Sequence, residues 1–251
     1  MTIKPNVFNS KGICKGLRIL LVYLLMVSNA SLAYGQADAD AGGFGLKYGF
    51  KLGTSLNQFS QPGTLIGFNG GFVGFLDITD FMDFEFELLY TLQGGGRAQY
   101  RRDLTEIGGN VETVTYLNRM VIFQNLEIPL SLRFTLPALS SGDVIPRIVI
   151  GGDYAFNVAA FEVRDTYYEF TNSTSGMVTN DRENVGAEYE KHQVSIHGGF
   201  AIDFRLADGK WLNTEIRYRQ GINNVNSNQD DPQLRGILYT NTLSFNFGVT
   251  F

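Results

Sequence analysis

The sequence predicts an all-β chain: an eight-stranded antiparallel up-and-down transmembrane β-barrel with periplasmic termini and a filled polar lumen. Three observations carry the prediction. The N-terminus reads as an export signal, apolar residues recur at every second position through eight later segments, and the connections between those segments alternate short and long.

The signal occupies residues 1–35. Lys4, Lys11, Lys15 and Arg18 form a basic stretch without an acid. Residues 19–27 are an uninterrupted apolar run, and small residues follow at Ala30, Ser31, Ala33 and Gly35. This is the layout of a secretory signal peptide, with cleavage after Ala33 or Gly35. The run is too short for an anchoring helix, which takes about 20 apolar residues. Cys14 precedes the run, so it is not a lipid-attachment site. As the single cysteine it also excludes a disulfide framework, a thiolate metal centre and a CxxC redox motif. Losing the four basic residues of the signal takes the formal net charge from −5 to −9, which argues against a nucleic-acid partner. Residues 36–43 are a short periplasmic segment and 44–251 the barrel.

The strands follow in order. In 44–53, Phe44, Leu46, Tyr48, Phe50 and Leu52 alternate with Gly45, Lys47, Gly49, Lys51 and Gly53. In 66–76, Ile66, Phe68, Phe72 and Leu76 share a face, but Val73 and Phe75 fall on the other one, making this the weakest pattern. In 82–93, Phe84, Phe86, Leu88, Tyr90 and Leu92 oppose Asp83, Glu85, Glu87 and Gln93. In 126–136, Leu126, Ile128, Leu130, Leu132 and Phe134 oppose Glu127, Ser131 and Arg133. The segment 147–160 sets Ile148, Ile150, Tyr154, Phe156 and Val158 against Arg147, Asp153 and Asn157. The segment 192–206 sets Val194, Ile196, Phe200, Ile202 and Phe204 against Ser195, His197, Asp203 and Arg205. In 211–222, Leu212, Ile216, Tyr218 and Ile222 oppose Asn213, Glu215, Arg217 and Arg219. The last strand ends in Leu243, Phe245, Phe247, Val249 and Phe251, with Thr, Ser, Asn and Gly between them; Phe245, Phe247, Val249 and Phe251 mark it as the strand that the outer-membrane assembly machinery would read. About 9–11 tilted residues suffice for a strand to cross a bilayer.

Soluble barrels and sandwiches also alternate, so polarity has to be decided by other features. The export signal, the C-terminal aromatic and the loop lengths all favour apolar residues facing lipid. On the terminal side the connections are residues 78–81, 137–146 and 207–210; on the far side they are 57–64, 94–123, 162–191 and 223–235. Short inner turns and long outer loops are what an outer-membrane barrel has. Tyr90, Tyr154, Tyr218 and Tyr239 then fall in the outer halves of their strands, as an aromatic girdle would.

With the apolar faces outward, the lumen receives Lys47, Lys51, Glu85, Glu87, Glu127, Arg133, Asp203, Arg205, Glu215, Arg217 and Arg219. Eight strands leave room only for side chains, and buried charges must pair. A structural ion-pair network is therefore expected, and removing Arg217 is expected to destabilise the barrel. Inward positions are odd on both sides of residues 207–210, so that turn has an odd number of residues. Placing it at Asp208, Gly209 and Lys210 puts Asp203 opposite Glu215, with Arg205 and Arg217 diagonal to them. Ser195 and His197 both point inward but lie about 7 Å apart on one strand, too far to form a catalytic pair by themselves. His192 points outward near the outer end of its strand. No P-loop is present. The polar run Asn223, Asn224, Asn226, Asn228, Asp230 and Asp231 could hold a calcium ion but reads as a solvated loop. No cofactor, metal or catalytic residue is assigned.

The stretch Asn125-Leu126-Glu127-Ile128-Pro129-Leu130 resembles the Y-L-E-I-P-L strand motif of PorT-like outer-membrane β-barrel proteins of Bacteroidetes-type bacteria, with Asn replacing the aromatic. The segment from Glu215 to Val225 is similar to that family's E-x-R-Y-x-x-G-L-x-N-I stretch, and Gly49 to Ser55 to its G-x-K-G-G-x-N opening. Pro129 within a strand removes a ladder donor and predicts a bulge there. The resemblance implies an eight-stranded outer-membrane barrel, some of whose relatives serve in assembly of a secretion machine.

The expected function is a non-enzymatic one, structural or binding, exercised through the long outer loops 94–123 and 162–191. Outer-membrane lipid or lipopolysaccharide, the assembly machinery and envelope or secretion proteins are the expected partners. Arg97, Arg101 and Arg102 of the first loop could meet anionic lipopolysaccharide. An outer-membrane enzyme acting on lipid or peptide, or a narrow channel, is the alternative.

Overall fold

Alternation with an even period gives each strand two faces, and the structure, a computed structural model, shows which face meets what. It describes residues 46–103, 111–170, 177–227 and 237–251. The expected signal peptide, the 36–43 segment and the carboxylates Asp230 and Asp231 lie outside the described residues.

Ten strands are described: β1 (Leu46–Phe59), β2 (Thr64–Thr79), β3 (Met82–Gly96), β4 (Tyr100–Asp103), β5 (Val111–Thr135), β6 (Val144–Phe170), β7 (Met177–Asn184), β8 (His192–Arg205), β9 (Trp211–Gly221) and β10 (Thr240–Thr250). Eight of them close a ring in the order β1-β2-β3-β5-β6-β8-β9-β10, with β10 paired back to β1 and every pairing antiparallel. Closure removes the unpaired backbone edges that neither lipid nor water-poor surroundings can satisfy.

The burial pattern is inverted relative to a soluble protein. Leu52 is 68% and Phe247 60% exposed, whereas the neighbouring Lys51 is 2% and Glu85 0% exposed. Phe50, Leu88, Tyr90, Leu130, Ile150, Tyr154, Ile216 and Tyr218 continue the exposed apolar surface around the ring, and Phe245 and Phe251 continue it on the last strand. Val73 and Phe75 are buried on the lumen side of β2, so one wall of the lumen is apolar. The Arg133 guanidinium lies over the Phe75 ring at 4.6 Å.

Four sequence expectations are corrected. The outer connections 94–123 and 162–191 are largely strand: β5 and β6 continue past the ring, and β4 and β7 flank them to form a four-stranded extension β4-β5-β6-β7. Alternation could not show this, because two irregularities change parity. Asn118, with φ 47°, and Arg119 together oppose Arg164, and Val158 is an extra residue between the Asn125–Asn157 and Gln124–Ala159 pairs. Second, the β8–β9 turn is centred one residue earlier than expected. Asp208 and Gly209 have φ of 60° and 74°, the sign that a type I′ turn needs at both central positions. A one-residue displacement of the centre moves partners by two, so Asp203 faces Asn213 and Glu215 faces Ala201. Third, Arg205 is exposed at the inner rim and is not part of the charged lumen. Fourth, Pro129 makes no bulge: it pairs in register with Asp153, and on its other side the β3–β5 ladder skips from Phe86–Leu130 to Leu89–Glu127 without a register shift. The absent N–H leaves a gap in the ladder rather than an extra residue.

Candidate functional site: the charged lumen and its cap

The lumen is filled in tiers. At the inner mouth, Lys47 on β1 bonds Asp77 on β2 at 3.0 Å, and both are partly exposed. Just inside, Asp203 accepts from Arg133 Nη2 and Arg147 Nε, each at 2.7 Å, and from Asn213 Nδ2 at 2.7 Å; Arg147 Nη1 also lies 2.5 Å from Asp83. These residues and Trp211 surround a small cavity at the inner mouth. Two arginines converging on Asp203 replace the Arg205 contact that hairpin arithmetic had assigned to it.

The middle tier is wholly buried. Lys51 Nζ donates to Glu85 Oε1 at 2.6 Å, Glu87 Oε1 at 2.9 Å and Glu215 Oε2 at 3.0 Å. Arg217 donates from Nη2 to Glu87 at 2.6 Å and from Nε to Glu215. Oxygens of the three carboxylates lie within 4.8 Å of one another, a spacing that would suit a metal ion, but the Lys51 ammonium occupies the position a cation would take. Arg133 from the tier below also reaches Glu85, at 3.8 Å, so three cations meet three anions and each buried charge has several partners.

In the next tier Arg219 Nη1 donates to Glu127 Oε1 at 2.8 Å and its Nε lies 3.3 Å from Asp153. Here the structure assembles a group that the sequence did not reveal. His197 Nε2 is 2.8 Å from Ser131 Oγ, and His197 Nδ1 is 2.8 Å from Asp153 Oδ2. Ser195 also bonds Asp153, at 3.2 Å. Ser131 is on β5, Asp153 on β6 and His197 on β8. Gly151 pairs with both Ser131 and His197, and a Cβ there would come within 2.6 Å of His197 Nε2. The missing side chain lets the imidazole cross β6. The connectivity is that of nucleophile, base and orienting acid, but all three side chains are buried, with the ionic tier on the inner side and an apolar cap on the outer side.

That cap is a small core. Phe59, Val121, Phe123, Ala160, Val185, Tyr189, Val225 and Leu238 form one buried cluster, with the Phe123 ring edge-on to Tyr189 at 5.0 Å. Residues of the β7–β8 and β9–β10 connections complete it, so no single strand pattern could have disclosed it. Arg97 Nη1 bonds the Tyr189 hydroxyl at 2.9 Å and Asn226 Oδ1 at 3.0 Å; it is a buried strut rather than the exposed cation expected of it. Burial pushes the Tyr189 hydroxyl up to about 12, so it stays neutral at physiological pH. Beyond the cap, Arg119 grips Glu162 with two bonds of 2.7 and 2.9 Å. Asn223, Asn224 and Asn226 spend their side chains on nearby main-chain and polar groups.

A family model described as outer membrane protein beta-barrel domain matches residues 36–227. The chain belongs to that family. Its outer-membrane localisation and its barrel of eight ring strands follow from this match together with the inverted, closed sheet. Similar solved structures include neisserial surface protein A, at 13% identity and TM-score 0.43, covering 83% of this chain and 99% of that one. A major outer membrane protein from Thermus thermophilus is similar at 11% identity and TM-score 0.43, covering 82% and 100% of the two chains. The outer membrane protease OmpT from Escherichia coli is similar at 9% identity and TM-score 0.42, covering 85% and 99%. No curated protein matches the sequence.

Proposed function

We propose that this family member is a non-enzymatic integral outer-membrane protein that presents its β4-β5-β6-β7 extension to an envelope or secretion partner. The observation that carries this reading is the extension itself. β5 and β6 continue beyond the closed ring with β4 and β7 flanking them, the buried Arg119–Glu162 pair joins β5 to β6 at the base, and the lumen beneath is filled. A surface already paired as a sheet is suited to recognition because less ordering entropy is lost on binding than from an unpaired loop. The PorT-like motifs around Glu127 and Arg217 support a place in such an assembly. The test is to replace residues 165–180 by an Asn-Gly turn, which shortens the β6–β7 hairpin where Arg164 pairs with Asp181. Co-purification from native outer membranes after crosslinking should lose specific envelope proteins while the barrel stays folded; an unchanged set of partners would remove the proposal.

The Ser131–His197–Asp153 arrangement favours a second reading, a serine hydrolase acting on lipid or peptide. In that case a small fluorophosphonate would label Ser131: its Oγ displaces fluoride from phosphorus while the proton passes to His197 Nε2. Absence of label on the folded barrel, with label appearing on an accessible serine hydrolase in the same membranes, supports the non-enzymatic reading.

A further inference from the structure

The lipid-facing surface is mostly apolar around the ring, and near its outer rim an imidazole is held by an aromatic neighbour. His192 opens β8 with its side chain exposed. The Tyr154 hydroxyl lies 2.5 Å from its Nδ1, the two rings stack with centroids 5.8 Å apart, and the Phe156 ring lies 5.6 Å away on β6. The backbone beneath is clamped from both neighbours. Asn223 Nδ2 donates to the His192 carbonyl at 2.9 Å, Val194 N–H donates to Asn223 Oδ1 at 2.8 Å, and Asn157 N–H donates to the Lys191 carbonyl at 2.7 Å.

This arrangement has a depth and a polarity. Aromatic residues with one polar tip gather at the headgroup level of a membrane, and Tyr154 and Tyr218 on neighbouring parts of the wall are such residues, both exposed. A histidine in the acyl layer would be costly, so an exposed imidazole beside the girdle belongs at the headgroups. In the tautomer in which Tyr154 donates to Nδ1, the ring proton is on Nε2, which has no partner among the described residues. A phosphate oxygen is an acceptor that such a donor matches.

We propose that His192, positioned by Tyr154, binds the phosphate of an outer-leaflet glycolipid. The site is on the outside of the wall and is independent of both the extension and the lumen.

The experiment uses the intact chain in phosphatidylethanolamine nanodiscs containing lipid A or its dephosphorylated form, with bound lipid counted by native mass spectrometry. Lipid A should be retained, and His192→Ala should weaken retention at least about tenfold, as expected for a hydrogen bond to a charged group. Tyr154→Phe keeps the ring but frees the imidazole, and should weaken it by a smaller factor. Heat-modifiable gel migration reports that each variant is folded. Equal retention of the dephosphorylated lipid, unchanged retention by folded His192→Ala, or displacement of lipid A by inorganic phosphate would each overturn the proposal, the last by showing a site for soluble anions.

Discussion

Arg217 hydrogen-bonds two of the three carboxylates that surround Lys51 and lies 3.6 Å from the third, Glu85, and it is 2% exposed. Arg217→Ala leaves Glu87 and Glu215 with Lys51 alone, and removing one partner of a buried ion pair costs about 3–5 kcal/mol. The folded band should lose its heat resistance at a lower temperature; unchanged migration would mean that water or Lys51 compensates. Asp165, on the extension, titrates below the usual carboxylate range because Asn118 and Asn180 both donate to it. Its folded value is depressed, so its contribution is present above about pH 4, the unfolded value, and is lost as pH falls through the folded one. Hydrogen exchange around Asn118 should rise on acidification in the wild type and be pH-insensitive in Asp165→Asn. These residues were legible to different degrees. Glu85, Glu87, Glu127, Arg133, Glu215, Arg217 and Arg219 are on the inward parity and are inside; Lys47 shares that parity but sits at the inner rim. Arg119 keeps the odd, inward parity of β5, but it lay in a segment expected to be an outer loop, so it was not counted among the inward charges. Ser131 and His197 are 66 residues apart, and only closure of the ring across Gly151 brings them together.

At the scale of elements, turn chemistry decided partners. Parity required an odd number of turn residues, which left the position of the turn open by one residue. The positive φ of Asp208 and Gly209 fixed it. Gly209→Ala places a Cβ in a left-handed conformation and should cost about 1 kcal/mol, read as a lower unfolding midpoint. The same reasoning explains the extension. Period two is a property of an uninterrupted strand, and β5 and β6 each pass through an irregularity at the point where they leave the ring, so their outer parts read as loop. The second strand shows the opposite failure. Val73 and Phe75 broke its pattern, yet they are strand residues facing inward, where Phe75 supports Arg133.

For the whole molecule the tiers decide conduction. The inner Asp203 group, the Lys51 group and the Glu127–Arg219 group follow one another inside the ring, and the apolar cluster around Phe123 covers them. In planar bilayers the wild type should show no stable large conductance. Phe123→Ala, which opens the cap alone, should remain closed because the ionic tiers persist; a stable open level in that variant would make the cap a gate.

The sequence by itself determined the architecture and its inversion, because both follow from local quantities: period-two alternation, the lengths of apolar runs and the alternation of turn lengths. It also determined which parity of residues faces inward, and therefore most of the charges in the lumen. Tertiary structure decided which charge meets which, where the cap closes and what crosses Gly151. Those depend on register and on bulges, which one residue's displacement changes completely, and on contacts between strands far apart in the chain that become neighbours only when the ring closes.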